Sequence, residues 1–159
     1  RLFCYRLFTI YDEDGQEIIR MVATFVLMDR ESRKVHPVVP EIVAPYHSEF
    51  SKKLVRGPKY RELEEAISKD YHVRFYDLDM NGHVNNSKYL DWIFEVMGAD
   101  FLTNHIPQKI NLKYVKEVRP GGMITSSYEL NGLESHHQIT SDGDINAQAK
   151  ITWQEINKD

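Results

Sequence analysis

One long stripe of helical period governs what this 159-residue chain can fold into. Leu90, Ile93, Phe94, Met97 and Phe101 recur three or four residues apart, which makes one face of a helix apolar. The surrounding apolar segments alternate instead. His72-Val73-Arg74-Phe75-Tyr76 reads as a half-buried strand ahead of the helix. Behind it, residues 109–115 and 124–130 read as strands on either side of the break at Gly121-Gly122. Asn131-Gly132 turns the chain into 134–140, and Ser141-Asp142-Gly143-Asp144 turns it again into 145–156, where Ala147, Ala149, Ile151 and Trp153 alternate. A lone apolar helix must be covered by something. With one strand before it and a meander after it, the expected fold class is α+β, an antiparallel sheet wrapped around one long helix.

Between the expected strand and helix lies the polar run 77–86, so Asp77, Asp79, Asn81 and His83 crowd a helix N-terminus. Asn85 or Asn86 can cap that helix, and Gly82 permits a tight turn just upstream. The positive end of the helix favours Asp79 as an anion, able to activate water or to attack a carbonyl itself. A structural Asx turn is the plainer role for a single aspartate. Asn81, with a donor and an acceptor, and His83, which exchanges protons near neutrality, tip the reading toward a site because the three come together. Asp77 reads as a turn residue and is left outside the site. The seven histidines show no metal-ligand spacing, and His136 and His137 are adjacent on opposite faces of a strand. Neither a metal nor another cofactor is expected.

The first residues already form a hairpin. Residues 1–11 and 17–28 read as strands joined by the turn Asp12-Glu13-Asp14-Gly15, and a loop with Pro37, Pro40 and Pro45 follows. Two strands alone are marginal at best, so this hairpin is expected to belong to something that begins upstream of Arg1. At 42% hydrophobic the chain can build one ordinary core, or one core and part of another. The net charge of -4 and the lack of a basic stripe argue against nucleic acid as a partner. The apolar run 21–28 is far too short to span a bilayer, so no membrane partner is expected. A single cysteine, Cys4, excludes an intramolecular disulfide and fits a reducing compartment.

The string Asp77-Leu-Asp-Met-Asn-Gly-His-Val-Asn-Asn-Ser-Lys-Tyr89 resembles the acyl-acyl carrier protein thioesterases, which fuse two hotdog domains in one chain. Their second domain carries D-x-N-x-H-V-N-N-x-x-Y, and Asp79, Asn81, His83, Val84, Asn85, Asn86 and Tyr89 fit it. The opening hairpin, with its A-T-F-V-L-M-D-R run at 23–30, is similar to the end of the family's first domain. The resemblance therefore implies a hotdog fold and three segments: the hairpin of an incomplete first hotdog at 1–37, a linker at 38–70, and the second hotdog with the motif at 71–159. By its own residues, 61–67 within the linker reads as a short helical turn.

Function follows from the same resemblance. It implies hydrolysis of fatty acyl-acyl carrier protein to free fatty acid and carrier protein, with acyl-CoA hydrolysis or a non-catalytic acyl-binding hotdog as alternatives. Asp79, Asn81 and His83 would be catalytic. Glu117, in the segment Tyr114-Val115-Lys116-Glu117-Val118, joins them only because family members place a glutamate there. Plant members carry cysteine at the next position, where this chain has Val118, so a thiol is not the expected nucleophile. If Asp79 and Glu117 approach each other, one pKa should rise. Backbone N–H groups at Val84, Asn85, Asn86 and Ser87 are the expected oxyanion donors. Trp92, Phe94 and Met97 read either as core or as the wall of an acyl tunnel. Lys52, Lys53, Arg56, Lys59 and Arg61 are the densest basic cluster available to an acidic carrier bearing a fatty acyl phosphopantetheine. A homodimer through hotdog sheet edges and a cytoplasmic location, or a plastid in a plant, complete the expectations.

Overall fold

The structure, a computed structural model, describes residues 2–157. Arg1, part of the first expected strand, and Lys158 and Asp159, the end of the expected second domain, lie outside the described residues. The chain divides into two compact units, one ending at Arg56 and the other starting at Gly57. In the first, β1 (Phe3–Tyr11) and β2 (Glu17–Met28) pair antiparallel, as the alternation predicts. Asp12 closes the turn: its Oδ1 accepts the N–H groups of Asp14 (3.1 Å) and Gln16 (2.7 Å), and Gly15 takes a left-handed φ of 78°. A short β3 (Val35–His36) pairs with the end of β2, and α1 (Pro40–Val43) follows.

The second unit holds β4 (Ile67–His72), α2 (Asn86–Glu95), α3 (Ala99–Leu102), β5 (His105–Tyr114), β6 (Met123–Asn131), β7 (Glu134–Ser141) and β8 (Asp144–Glu155). Its strands form one antiparallel sheet in the order β4-β6-β7-β8-β5. This is the hotdog arrangement. Tyr89, Trp92 and Ile93 of α2 are buried against Ile124, Ile139, Ala147, Ala149, Ile151 and Trp153 of the sheet. Ser126 reaches from β6 to the helix and donates to the carbonyl oxygen of Trp92 (3.0 Å). Trp92 and Met97 are core residues, and Phe94 packs edge-on against Trp153.

Three details depart from the sequence reading. The strand before the motif is Ile67–His72 rather than 72–76, so the sheet begins inside the stretch expected to be linker. Val73 is buried as expected, but Phe75 and Tyr76 are 80% and 89% exposed. The alternation there misleads because Asp77 captures the Arg74 N–H (2.7 Å) and winds 75–77 into a 3-10 turn. The helical turn expected at 61–67 is also absent. Irregular backbone with a bend at Glu64 and Glu65 takes its place, held to β6 by Glu129, which accepts from the N–H groups of Glu64 and Glu65 and pairs with Arg61 (2.5 Å). Finally, the apolar stripe is shared between α2 and α3, because Gly98 adopts φ 84° and ends one helix where the next begins.

Candidate active site

The loop between β4 and α2 is built around two aspartates. Asp77 is buried, with its carboxylate bonded to the Arg74 backbone N–H and to the guanidinium at Nη2 (3.0 Å). Burial alone would raise its pKa, but the hydrogen bonds and charge of Arg74 prevail and hold it below the usual aspartate value. Its carbonyl oxygen accepts the Asn85 N–H (2.8 Å), and a bridge between Leu78 and Val84 closes the loop. Asp77 therefore sets the base of the loop and takes no part in the cleft. Asp77→Ala should cost about 1–3 kcal/mol, chiefly because the Arg74 backbone N–H loses its acceptor, while the largely exposed guanidinium turns to water. Because the folded pKa is depressed, this contribution is present above about pH 4 and lost as pH falls through the folded value. Urea unfolding of both proteins at pH 7 and pH 3 should show the gap closing in acid.

Asp79 organises the tip. Its N–H donates to the His83 carbonyl (2.7 Å), and its Oδ1 accepts the N–H groups of Asn81 (2.8 Å) and His83 (3.1 Å). Gly82, at φ 75°, makes the turn possible. The His83 N–H, followed by the Asn81 groups, holds Asp79 below the usual aspartate range. The raised carboxyl expected of an Asp79–Glu117 pair is thus not found at Asp79, whose pKa moves the opposite way.

At the helix start, Asn85 is the cap: its Oδ1 accepts both the N–H and the hydroxyl of Ser87 (3.0 Å each). Two of the four expected oxyanion donors are therefore committed, the Asn85 N–H to Asp77 and the Ser87 N–H to Asn85. Val84 and Asn86 are left for that task.

A cleft of about 430 Å³ opens beside this helix end, lined by Asp79, His83, Val84, Asn85, Asn86 and Tyr89 on one side and by Tyr114, Val115, Lys116 and Glu117 on the other. Across it, His83 Nδ1 lies 3.8 Å from Glu117 Oε1. That is longer than a hydrogen bond, yet close enough to pair charge once the imidazole is protonated. Both side chains are about half exposed. Asp79, His83 and Glu117 thus meet at one cleft, whereas Asn81 contributes its backbone N–H and does not line it. The sequence reading gave no role to Tyr89, Tyr114 or Lys116. Tyr89 closes the motif, the one signal that could have marked it. No group of three or more His, Cys, Asp or Glu that could hold a metal occurs among the described residues. Of the basic cluster, Arg61 is engaged by Glu129, and Lys52, Lys53 and Arg56 belong to the first unit.

Comparison with known proteins bears on this cleft. A palmitoyl-acyl carrier protein thioesterase of Gossypium hirsutum is 25% identical over 146 residues, 86% of this chain and 35% of its own length. An oleoyl-acyl carrier protein thioesterase of Arabidopsis thaliana is 26% identical over 139 residues, 80% of this chain and 37% of its own. The chain therefore spans about a third of the length of these relatives. A Lactobacillus plantarum structure provisionally named an oleoyl thioesterase superposes with a TM-score of 0.91 at 33% identity, covering 99% of this chain and 65% of that one. The 12:0-ACP thioesterase of Umbellularia californica shares the fold, with a TM-score of 0.83 at 23% identity over 98% of this chain and 64% of that one. Residues 60–155 match the acyl-ACP thioesterase C-terminal domain and residues 1–46 the N-terminal domain of the same family. The cleft between Asp79 and Glu117 lies wholly within the larger of these matches, and the chain belongs to the acyl-ACP thioesterase family.

Proposed function

We propose that this chain carries the catalytic cleft of an enzyme that hydrolyses fatty acyl-acyl carrier protein to a free fatty acid and the carrier's thiol. The observation that carries this reading is the meeting of His83 with Glu117 across the cleft, beside a carboxylate, Asp79, at the start of α2.

A thioester needs little help to lose its thiolate. What it needs is a water made nucleophilic and a place for the negative charge that appears on the carbonyl oxygen. In this reading His83 takes the proton from the attacking water, and Glu117 stabilises the imidazolium that results. Asp79 is a poor candidate for proton transfer because its pKa is depressed, away from the operating pH. As a fixed anion it orients the water. The N–H groups of Val84 and Asn86, with the positive end of the helix behind them, receive the oxyanion. The proton on His83 then passes to the departing sulfur. The step calls for no thiol, and the residue that follows Glu117 is Val118.

The domain reading belongs to the same proposal, with its boundary moved: the hairpin 1–37 closes a first hotdog, the linker ends before Ile67 rather than at 70, and the catalytic hotdog takes in β4. Release of free thiol from acyl chains of equal length on acyl carrier protein and on coenzyme A tests the function. The carrier protein substrate should turn over faster, and Asp79→Asn should be slower on both. Asparagine accepts the same two backbone N–H bonds, so the tip stays folded while the charge is lost. Equal turnover by Asp79→Asn would remove Asp79 from the mechanism, and preference for coenzyme A would transfer the substrate to that carrier.

A further inference from the structure

Strand β8 contains one residue that breaks its pattern. Ala147, Ala149, Ile151 and Trp153 face the helix and are buried, while Gln148, Lys150 and Thr152 between them are partly exposed. Asn146 belongs by spacing to the outward set, yet it is only 1% exposed. Its side chain is fully employed. Nδ2 donates to the carbonyl oxygens of both Lys116 and Glu117 (3.3 Å each), and Oδ1 accepts from the Ser141 hydroxyl (2.8 Å). Its backbone oxygen accepts from the N–H groups of Val115 (2.8 Å) and Lys116 (3.2 Å).

These contacts have a particular geometry. The Lys116 carbonyl lies in the peptide plane before the Glu117 Cα, and the Glu117 carbonyl lies in the plane after it. Asn146 holds both planes with one amide. The second plane is gripped again from across the cleft, because its N–H, that of Val118, donates to Tyr89 Oη (3.2 Å). With the planes on either side of a Cα fixed, the direction of its Cα–Cβ bond is fixed too. Glu117 itself is more than half exposed, so the direction given to it by the backbone matters.

We propose that Asn146 is a positioning residue for Glu117, aiming its carboxylate at His83 through the two flanking peptide planes, with Tyr89 as the opposing grip. The proposal rests on the assignment of Glu117 to the reaction. Misplacing a reacting group by about an ångström can cost on the order of 10²-fold in rate without loss of substrate binding. Asn146→Ala should therefore lower kcat roughly 10-fold to 100-fold with little change in KM, and Asn146→Gln should recover part of the loss. Tyr89→Phe, which keeps the ring in the core and removes only the acceptor, should lower kcat in the same sense.

The deciding measurement is a double-mutant cycle with Glu117→Gln in the intact protein, using an acyl-acyl carrier protein substrate. A residue that acts through Glu117 has nothing left to aim once that carboxylate is gone, so either loss should shrink to within about twofold in the Glu117→Gln background. Tyr89→Phe keeps the cycle readable if Asn146→Ala does not fold. Losses of the same size in both backgrounds, with Glu117→Gln itself impaired, would overturn the positioning role alone. Full activity of Glu117→Gln would instead overturn the catalytic role of Glu117, and the positioning role with it.

Discussion

His83→Ala is expected to lower kcat by roughly 10² to 10⁴, the usual worth of a general base, while the protein stays folded. Both halves of this expectation come from the same contacts. The imidazole is about half exposed, in the wall of the cleft and outside the buried core. What His83 gives the loop is backbone: its N–H to Asp79 Oδ1 and its carbonyl to the Asp79 N–H. Alanine keeps both, so the tip of the loop and the start of α2 should be unchanged. The loss in rate therefore reports chemistry rather than collapse. Added imidazole should restore part of the activity, because the cavity left by the ring opens onto the cleft. Turnover within about twofold of the parent would remove His83 from the proton path and leave the reaction to the carboxylates alone.

The second large effect concerns stability. Trp153→Ala is expected to cost about 3–5 kcal/mol, a substantial share of the ~5–15 kcal/mol that holds most domains together. The ring is 4% exposed and meets Phe94 and Phe101 edge-on, with centroids at 5.7 Å and 5.0 Å, so it joins β8 to both helices of the second unit. Its Nε1–H also donates to the Ser135 hydroxyl (2.8 Å), which lies 2.7 Å from His137 Nε2. Alanine would leave a void and strip that hydroxyl of a donor. Trp153→Phe separates the two losses, because it fills most of the volume and should cost only about 1–3 kcal/mol. Burial pushes the pKa of His137 down to about 3, so the imidazole stays neutral and cannot offset the missing donor by protonation near neutral pH. Urea unfolding with an unchanged m-value checks the order. A loss below about 1 kcal/mol for Trp153→Ala would show that the ring is not part of the core.

What could be read in advance follows how local the physics is. The hairpin, the capping at Asn85 and the meander depend on neighbours in sequence, and their turn residues announce them. Asp79 and His83 were legible for the same reason: a short linear motif at a helix start carries its own geometry. Glu117 was not, because a glutamate at a strand end looks like any solvated charge, and only the resemblance singled it out. Asn146 was wholly hidden. It lies in a strand whose other residues alternate, and its partners Lys116 and Glu117 are about thirty residues away, so no local pattern shows that it is buried. The false strand at 72–76 has the converse origin, since alternation there was overruled by the hydrogen bonds between Arg74 and Asp77.

The two walls of the cleft differ in how they are anchored. On the Glu117 side, β5 is paired with β8 from His105 with Glu155 to Tyr114 with Ala147, and Val115 and Lys116 continue that ladder onto Asn146. That wall is in effect an extension of the sheet. The Asp79 side is a loop whose span from Asp77 to Asn85 is closed by one bridge and the bonds within it. Any breathing of the cleft, which the proposed reaction calls on to admit an acyl chain, therefore falls to the loop. Amide hydrogens from Asp79 to His83 should exchange with solvent sooner than those of Val115 and Lys116, and an acyl group held in the cleft would slow the first set far more than the second.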